Sequence, residues 1–283
     1  MGQSQGFFLT ALKRVLFRQF IRSRRLQRMW SMLHTLVLYG MNYGGGGTIK
    51  TSGEEWVLRH LVGPKCADLE EPVIFDVGAN IGEYSLCVVH HVPRARVHAF
   101  EPSNSVYQQL AETIKKAGAE DRISPFRLGF SDTNKRVDLY CYAADGVEAS
   151  VMSSVDLRRP TQVVDVKTKT TEQIEVQTID HFCESQGIRR IDFLKMDVEG
   201  HELAVLHGAA RMLSSGSIST IQFEFGPTNI YSHTYFFDFW SLLSDKYDIY
   251  RILPLGIAPI GYYGEHREIF LNTNYLAIQR ENT

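Results

Sequence analysis

Five ionisable side chains fall within eight positions of one another: Lys195, Asp197, Glu199, His201 and Glu202. They follow an apolar run, residues 191 to 196, that reads as a buried strand, and they precede a helix starting near Gly200. So dense a cluster after a buried strand is costly unless it lines a cleft. The chemistry it suits is proton removal, with Asp197, Glu199 and His201 as candidate general bases and Lys195 as an orienting or charge-stabilising partner. Glu224 joins them, because residues 221 to 225 read as the next strand and bring its tip beside Asp197. Two adjacent carboxylates either hold a divalent cation such as Mg2+ at Asp197 and Glu224 or share a proton, and both remain open. The plainer alternatives are that Glu199 and Glu202 only favour the positive start of a helix and that His201 is solvated.

A second constellation lies upstream. Residues 73 to 102 read as an apolar strand, a glycine turn, a helix and a second strand ending at Glu101. Gly78 and Gly82 permit a tight turn, and the following helix presents free backbone N–H groups to a ligand. A carboxylate at the tip of the second strand suits a ribose diol, since it accepts hydrogen bonds from both hydroxyls. The spacing Gly78-Ala79-Asn80-Ile81-Gly82 lacks the middle glycine of a dinucleotide fingerprint, and Asn80 would crowd a pyrophosphate. A ligand without phosphates, such as S-adenosylmethionine, fits better, with Asp76 placed to meet its ammonium. Alone, the segment is also compatible with an ordinary β-α-β unit and a solvated Glu101.

The runs DVGANIGEYSL (76–86), FEP (100–102) and LKMDVEGHE (194–202), with VLHGA after it, resemble the FkbM-type family of S-adenosylmethionine-dependent methyltransferases. The K-x-D-x-E-G-x-E signature falls on Lys195, Asp197, Glu199, Gly200 and Glu202, and the resemblance extends over residues 41 to 278. Shorter matches are Met41-Asn42-Tyr43-Gly44, Ser52-Gly53-Glu54, Ser131-Asp132 and Thr178-Ile179-Asp180; Gly129 stands where alanine is more usual. The resemblance implies a doubly wound, mostly parallel seven-stranded Rossmann-like α/β sheet. It implies a cofactor set of Asp76, Gly78, Ala79, Asn80, Gly82, Tyr84, Glu101, Pro102, Ser131, Asp132 and Asp197, and a catalytic set of Asp197, Glu199, Glu224, Lys195 and His201. The activity it implies is O-methylation of a hydroxyl on a sugar, glycan or glycosylated natural product. The reading from another class is a cofactor-binding protein without catalysis, whose basic head contacts membrane or nucleic acid.

The 283 residues, 44% hydrophobic and 22% charged, suffice for one full-sized core and exclude a disordered chain. The net charge of -2 conceals an asymmetry: residues 1 to 53 carry eight Lys or Arg and no acid, leaving 22 basic against 32 acidic residues beyond. Phe8, Leu12, Leu16 and Phe20 recur at helical spacing among those cations. A basic amphipathic extension over 1–50 is therefore expected ahead of a catalytic domain over 51–283, with residues 1–35 resting on an anionic membrane or docking on the acidic body or a second subunit. Nucleic acid is not an expected partner of an acidic body; a small molecule or glycan is. Cys66, Cys87, Cys141 and Cys183 lack C-x-x-C spacing, so neither zinc nor a disulfide framework is implied, and a cytoplasmic, membrane-peripheral setting is expected.

The elements that must position these groups alternate. Strands are expected at 73–77, 96–101, 123–129, 191–196, 219–225, 248–253 and 268–278, with helices at 82–91, 104–117, 200–213 and 235–245. An antiparallel excursion is expected around 136–142 and 173–178, and a mobile flap or surface loop over 143–172. Ser52 and Glu55 have capping-box spacing for a helix through Leu61. Tyr231, His233, Tyr235, Phe236 and Phe237 suggest either an aromatic wall for a sugar ring or core.

Overall fold

Short runs of β-branched and aromatic residues, separated by helical stretches, build the parallel half of the main sheet, in which every strand is shielded on both faces. The computed structural model describes residues 24–45, 48–144, 152–154 and 166–280, with the backbone alone over 141–144, 152–154 and 166–170. The strands are β1 (Val73–Val77), β2 (Arg96–Phe100), β3 (Ile123–Phe126), β4 (Gly129–Phe130), β5 (Lys135–Ala144) and β6 (Met152–Ser154). They continue with β7 (Val166–Gln177), β8 (Phe193–Met196), β9 (Thr220–Phe225), β10 (Tyr247–Leu253), β11 (Gly256–Pro259) and β12 (Thr273–Gln279). Among the described residues the α-helices of five or more residues are α1 (Arg24–Gly40), α2 (Glu83–His91), α3 (Asn104–Ala117), α4 (Ile179–Gln186), α5 (Glu202–His207), α6 (Ala210–Ser214) and α7 (Phe236–Leu243).

The main sheet runs β3-β2-β1-β8-β9-β12-β10-β11. It is parallel from β3 to β9, and β12 inserts antiparallel between β9 and β10. The strand order reverses between β1 and β8, which places a ligand crevice outside their carboxyl ends. The sheet has eight strands rather than the seven expected, because β11 turns back on β10 as an antiparallel edge hairpin. One core cluster contains residues of α2, α3 and segment 57–66; the other contains residues of α4, α5, α6 and α7. Helices on both faces are what a doubly wound sheet requires.

Three expectations need correction. The strand expected over 123–129 divides: β3 ends at Phe126, and Gly129–Phe130 pair with β7 in a second sheet of order β4-β7-β5-β6. The helix expected over 200–213 breaks into α5 and α6, because the Gly208 carbonyl accepts from the Asp180 amide at 3.0 Å and the Asp180 carboxylate caps α6 by accepting from the amides of Arg211 and Met212, at 2.7 and 3.0 Å. The capping box forms at Thr48 and Thr51, not at Ser52 and Glu55. Ser52 instead turns inward and donates to Glu54.

The chain divides into a unit ending at Gly44 and one beginning at Gly45. In the first, α1 carries Met29, Met32, Leu33, Leu36 and Val37 at i, i+3, i+4, i+7 and i+8 spacing, all exposed. The amphipathic stretch expected around Phe8 to Phe20 lies outside the described residues, as does most of the flap expected over 143–172.

Candidate functional site

The glycine loop is set by backbone constraints. Gly78 has φ +80°, and a Cβ there would come within 1.9 Å of the Asp197 carbonyl oxygen. Only glycine lets the ends of β1 and β8 approach so closely. The amides of Gly78 and Ala79 both donate to the Phe100 carbonyl, at 3.0 and 2.9 Å, which fixes the loop to the end of β2. Asn80 is held at φ +48°, and its amide donates to Glu101 Oε2 at 3.2 Å. Glu101 Oε1 accepts from the Ser103 amide at 2.9 Å, so both carboxylate oxygens are oriented by main chain. Burial raises this carboxyl to about 7, against the lowering effect of those two amides. Gly82, at φ +92°, packs against Leu110, and Ala79 is buried beside it in the core.

A cleft opens at this point, bounded by Gly78, Asn80, Glu101 and Pro102 on one side and by Asp197, Glu199 and His201 on another. Its apolar wall combines Val106 and Leu128 with Leu139, Ile174 and Val176. The last three come from the second sheet, a contribution that sequence reading did not anticipate. Glu172 ties that sheet to the cleft: its carboxylate accepts from the Asn104 amide at 3.0 Å and the Ser103 hydroxyl at 3.2 Å, at the start of α3. The mixed polar and apolar lining suits a nucleoside. A carboxylate held for a diol and a loop that admits no Cβ at Gly78 match the demands of S-adenosylmethionine.

Beneath the cleft floor runs a buried polar row. Strand register pairs Asp76 with Lys195 and Lys195 with Gln222, so the three side chains share one face of the sheet centre. The Lys195 ammonium lies 3.4 Å from Asp76 Oδ1 and 3.5 Å from Asp197 Oδ2, with the Tyr84 ring 5.1 Å away. Burial opposes its charge, yet Asp197, then Asp76 and Glu54, outweigh burial and hold the ammonium protonated above its ordinary range. Lys195 is therefore a fixed cation and not a proton acceptor. Ser85 donates to Asp76 Oδ2 at 2.6 Å. The Tyr84 hydroxyl donates to Gln222 Oε1 at 3.3 Å, and Gln222 Nε2 donates to Glu54 Oε1 at 2.7 Å. Tyr84 thus lies in the row beneath the cleft.

The catalytic candidates converge at the carboxyl ends of β8 and β9. The Asp197 side chain is 45% exposed beside Lys195. Glu199 sits at φ +57° and Gly200 at φ +98°, an arrangement that costs about 1–3 kcal/mol at the glutamate. Glu202 holds it in place: its Oε1 accepts from the amides of Val198 and Gly200, at 3.0 and 3.2 Å. The carboxyl is 1% exposed and burial raises it to about 7. Glu202 therefore braces the loop that carries Asp197 and Glu199. Burial, then Asp197, Glu199 and Glu202, drive the Glu224 carboxyl well above the usual carboxylate range. His201 Nε2 lies 3.0 Å from Ser131 Oγ, and that hydroxyl donates to Asp132 Oδ1 at 3.0 Å.

Asp197 and Glu224 belong to no grouping of three or more Asp, Glu, His or Cys ligand atoms among the described residues; the one such grouping is Glu55, Cys87 and His91, all half-buried. The counter-charge at Asp197 is the Lys195 ammonium.

Sequence reasoning missed Glu54, Ser85, Glu172 and Gln222 as site residues. For Gln222 the signal was present, a lone amide inside the apolar run of β9.

Comparison with known proteins follows the same lines. A profile of the methyltransferase FkbM domain matches residues 76–251, more than half of the chain. The 2-O-methyltransferase NoeI of Sinorhizobium fredii is 28% identical over 51% of this chain and 60% of its own length. The hexuronic acid methyltransferase AglP of Haloferax volcanii is 27% identical over 65% of this chain and 72% of its own. The 31-O-demethyl-FK506 methyltransferase FkbM of Streptomyces tacrolimicus is 30% identical over 53% and 63%. The crystal structure of Methyltransferase FkbM from Methylobacillus flagellatus KT has a TM-score of 0.47 at 19% identity, covering 74% of this chain and 44% of that one. With its glycine loop and Lys195-x-Asp197-x-Glu199-Gly200-x-Glu202 signature inside the matched region, the chain belongs to the FkbM family of S-adenosylmethionine-dependent methyltransferases.

Proposed function

We propose that this protein methylates a hydroxyl group on a sugar, glycan or glycosylated natural product. The observation that carries the reading is that Asp197 and Glu199 line the cleft beside the glycine loop, over the buried Lys195 ammonium, with Glu224 close enough to both to be pushed toward its neutral form. S-adenosylmethionine, when bound, supplies a methyl group already activated on a sulfonium. The loop at Gly78 to Gly82, Glu101 and the apolar wall would hold it. What the chain must add is alignment of the acceptor and removal of its hydroxyl proton. Asp197 and Glu224 receive that proton as a pair, because two neighbouring carboxylates share one proton more readily than they carry two charges. Lys195 orients Asp197 and balances its charge. Glu202, through the amides of Val198 and Gly200, keeps the carboxylate loop in one conformation. The names of the relatives, a 2-O-methyltransferase and a hexuronic acid methyltransferase among them, support the acceptor class.

The test is methyl transfer from labelled S-adenosylmethionine to a panel of oligosaccharides and glycosides. Asp197→Asn and Glu224→Gln are expected to lose turnover by about 100-fold or more, and Glu224→Gln to bind the donor with unchanged affinity. Activity surviving in both variants would sink the proton-sharing pair, and donor binding without transfer to any acceptor would favour a non-catalytic role.

We also infer that α1 contacts an anionic membrane surface from the cytoplasmic side. Arg24, Arg25 and Arg28 share the helix with its exposed apolar stripe, and α1 contains no acid. Among the described residues no helix is long and apolar enough to cross a membrane. Co-sedimentation with phosphatidylglycerol vesicles, reduced in Met32→Asp and Leu36→Asp, tests this; equal recovery of wild type and variants would count against it.

A further inference from the structure

Outside the cleft, α2 and the helical turn Glu54–Val57 bring three different metal-binding groups to one point. Cys87 and His91 stand at i and i+4 on α2 and so share one of its faces. Glu55 reaches them from the turn, with its Oε1 3.3 Å from His91 Nε2. The carboxylate oxygen, the imidazole nitrogen and the Cys87 sulfur all lie within 4.8 Å of one another. All three residues are half-buried, and none of them lines the cleft.

The backbone fixes the two elements at that spacing. After Glu55 the chain widens into a π-turn over Leu58–Val62, a feature that recurs at functional sites. Gly63 then passes the end of α2, where a Cβ would come within 2.9 Å of the His91 carbonyl oxygen. Val57, Leu58 and Val62 share a core cluster with Val88, and Cys87 packs against it. Residues next to the three are committed elsewhere: Glu54 accepts from Gln222, and Ser85 donates to Asp76.

A hydrogen bond accounts for the imidazole and the carboxylate, but not for a thiol beside both. Two ligands on a tetrahedral zinc ion, with bonds of about 2.0–2.1 Å, lie about 3.3 Å apart. That is the Glu55–His91 separation. The sulfur, bound at about 2.3 Å, would lie about 3.5 Å from each, so a side-chain shift of about 1 Å is the most it requires. A thiolate with an imidazole selects a borderline-soft ion, whereas Mg2+ and Ca2+ take oxygen ligands. Cysteine spacing does not reveal such a site, because only one ligand is a cysteine and Glu55 stands 36 residues before His91.

We propose that Glu55, Cys87 and His91 bind one Zn2+ ion, with water as the fourth ligand, and that the ion ties the Glu54–Val57 turn to α2. Binding takes Cys87 as its thiolate and releases the thiol proton to solvent. The tie joins the two elements that feed the buried row, Glu54 from one and Tyr84 and Ser85 from the other.

The experiment is titration of the full chain, stripped with EDTA and free of methyl donor, with Co2+ as a spectroscopic probe and Zn2+ in competition. One Co2+ per chain should produce a thiolate-to-cobalt charge-transfer band and the visible bands of a tetrahedral ion, and Zn2+ should abolish both. Cys87→Ser should lose the charge-transfer band, while Cys66→Ala and Cys183→Ala keep it. His91→Gln and Glu55→Gln should each weaken binding by about tenfold or more. Their metal-free affinity for S-adenosylmethionine should match wild type, which separates lost ligation from lost fold. Saturating Zn2+ should raise the melting temperature of the wild type by several degrees and leave that of His91→Gln unmoved. The site is overturned by any of four results: no band in the wild type, an undiminished band in Cys87→Ser, wild-type affinity in both His91→Gln and Glu55→Gln, or tighter binding of Mg2+ than of Zn2+. An unmoved wild-type melting temperature with the ion bound would overturn the tie.

Discussion

The two halves of the cleft are built by different means. On the cofactor side, main chain does the positioning: Gly78 admits the Asp197 carbonyl, Asn80 and Ser103 amides hold Glu101, and the Phe100 carbonyl anchors the loop. On the acceptor side, side chains press charge against charge. Glu224 is pushed toward its neutral form by burial and by Asp197, Glu199 and Glu202, and Lys195 is held as a cation in between. The first half is a relaxed mould for a constant ligand. The second sets carboxylates against one another around a single ammonium, so that taking up a proton relieves their repulsion.

The comparison breaks most completely at Gly78, which packs on the Asp197 carbonyl where the two halves meet. Gly78→Ala places a methyl group within 1.9 Å of the Asp197 carbonyl oxygen, against backbone that cannot yield cheaply. Donor binding should become undetectable by calorimetry, together with a fall of several degrees in melting temperature. Wild-type affinity in this variant would mean that β1 and β8 part without consequence. A smaller effect should appear at Glu101, on the cofactor side alone. With its carboxyl near 7, wild-type affinity for S-adenosylmethionine should fall as pH drops from 8 to 6, because the protonated group no longer accepts from both ribose hydroxyls. Glu101→Gln should bind about tenfold more weakly at pH 8, show no such slope, and retain turnover at saturating donor. A variant that binds normally but turns over slowly would move Glu101 to the acceptor side of the comparison.

How legible each half is in the sequence follows from the same difference. Glycine turns and strand-end acids are local, so Gly78, Asn80, Gly82 and Glu101 announce themselves within a span of thirty residues. The signature of residues 195 to 202 is local too. The rest of the acceptor half is assembled by register across the sheet: Gln222 joins Asp76 and Lys195 only because β8 lies between β1 and β9. Glu54 reaches Gln222 because Gly53, at φ +92°, passes against the Leu253 carbonyl, where a Cβ would come within 2.0 Å of the oxygen. No periodicity carries that information. The capping-box expectation failed for a related reason, since Ser52 satisfies a buried carboxylate in place of a helix end. The second sheet was foreseen as an excursion, but its part in walling the cleft depends on Glu172 bonding to the start of α3, sixty-eight residues away.

The smallest expected effect is also the most diagnostic of stored tension. A carboxyl that binds its proton more tightly when folded than when unfolded contributes stability that is fully present below its unfolded pKa and is lost as pH rises through its folded one. Glu224 is such a group, with a folded value well above the ordinary 4.5. The donor-free protein should therefore become less stable as pH climbs from about 5 toward 8. Glu224→Gln cannot ionise, so its melting temperature should exceed that of wild type by about 2–4 °C at pH 8, the shift expected for roughly 1 kcal/mol in a domain of this size. The advantage should shrink toward pH 5 and disappear below the ordinary value of 4.5, where the wild-type carboxyl is protonated in both states. The same variant should be the inactive one, so stability gained and turnover lost would come from a single removed charge. Equal melting curves at pH 8 would mean that water already screens Glu224 from its neighbours, and the acceptor half would then be no more strained than the cofactor half.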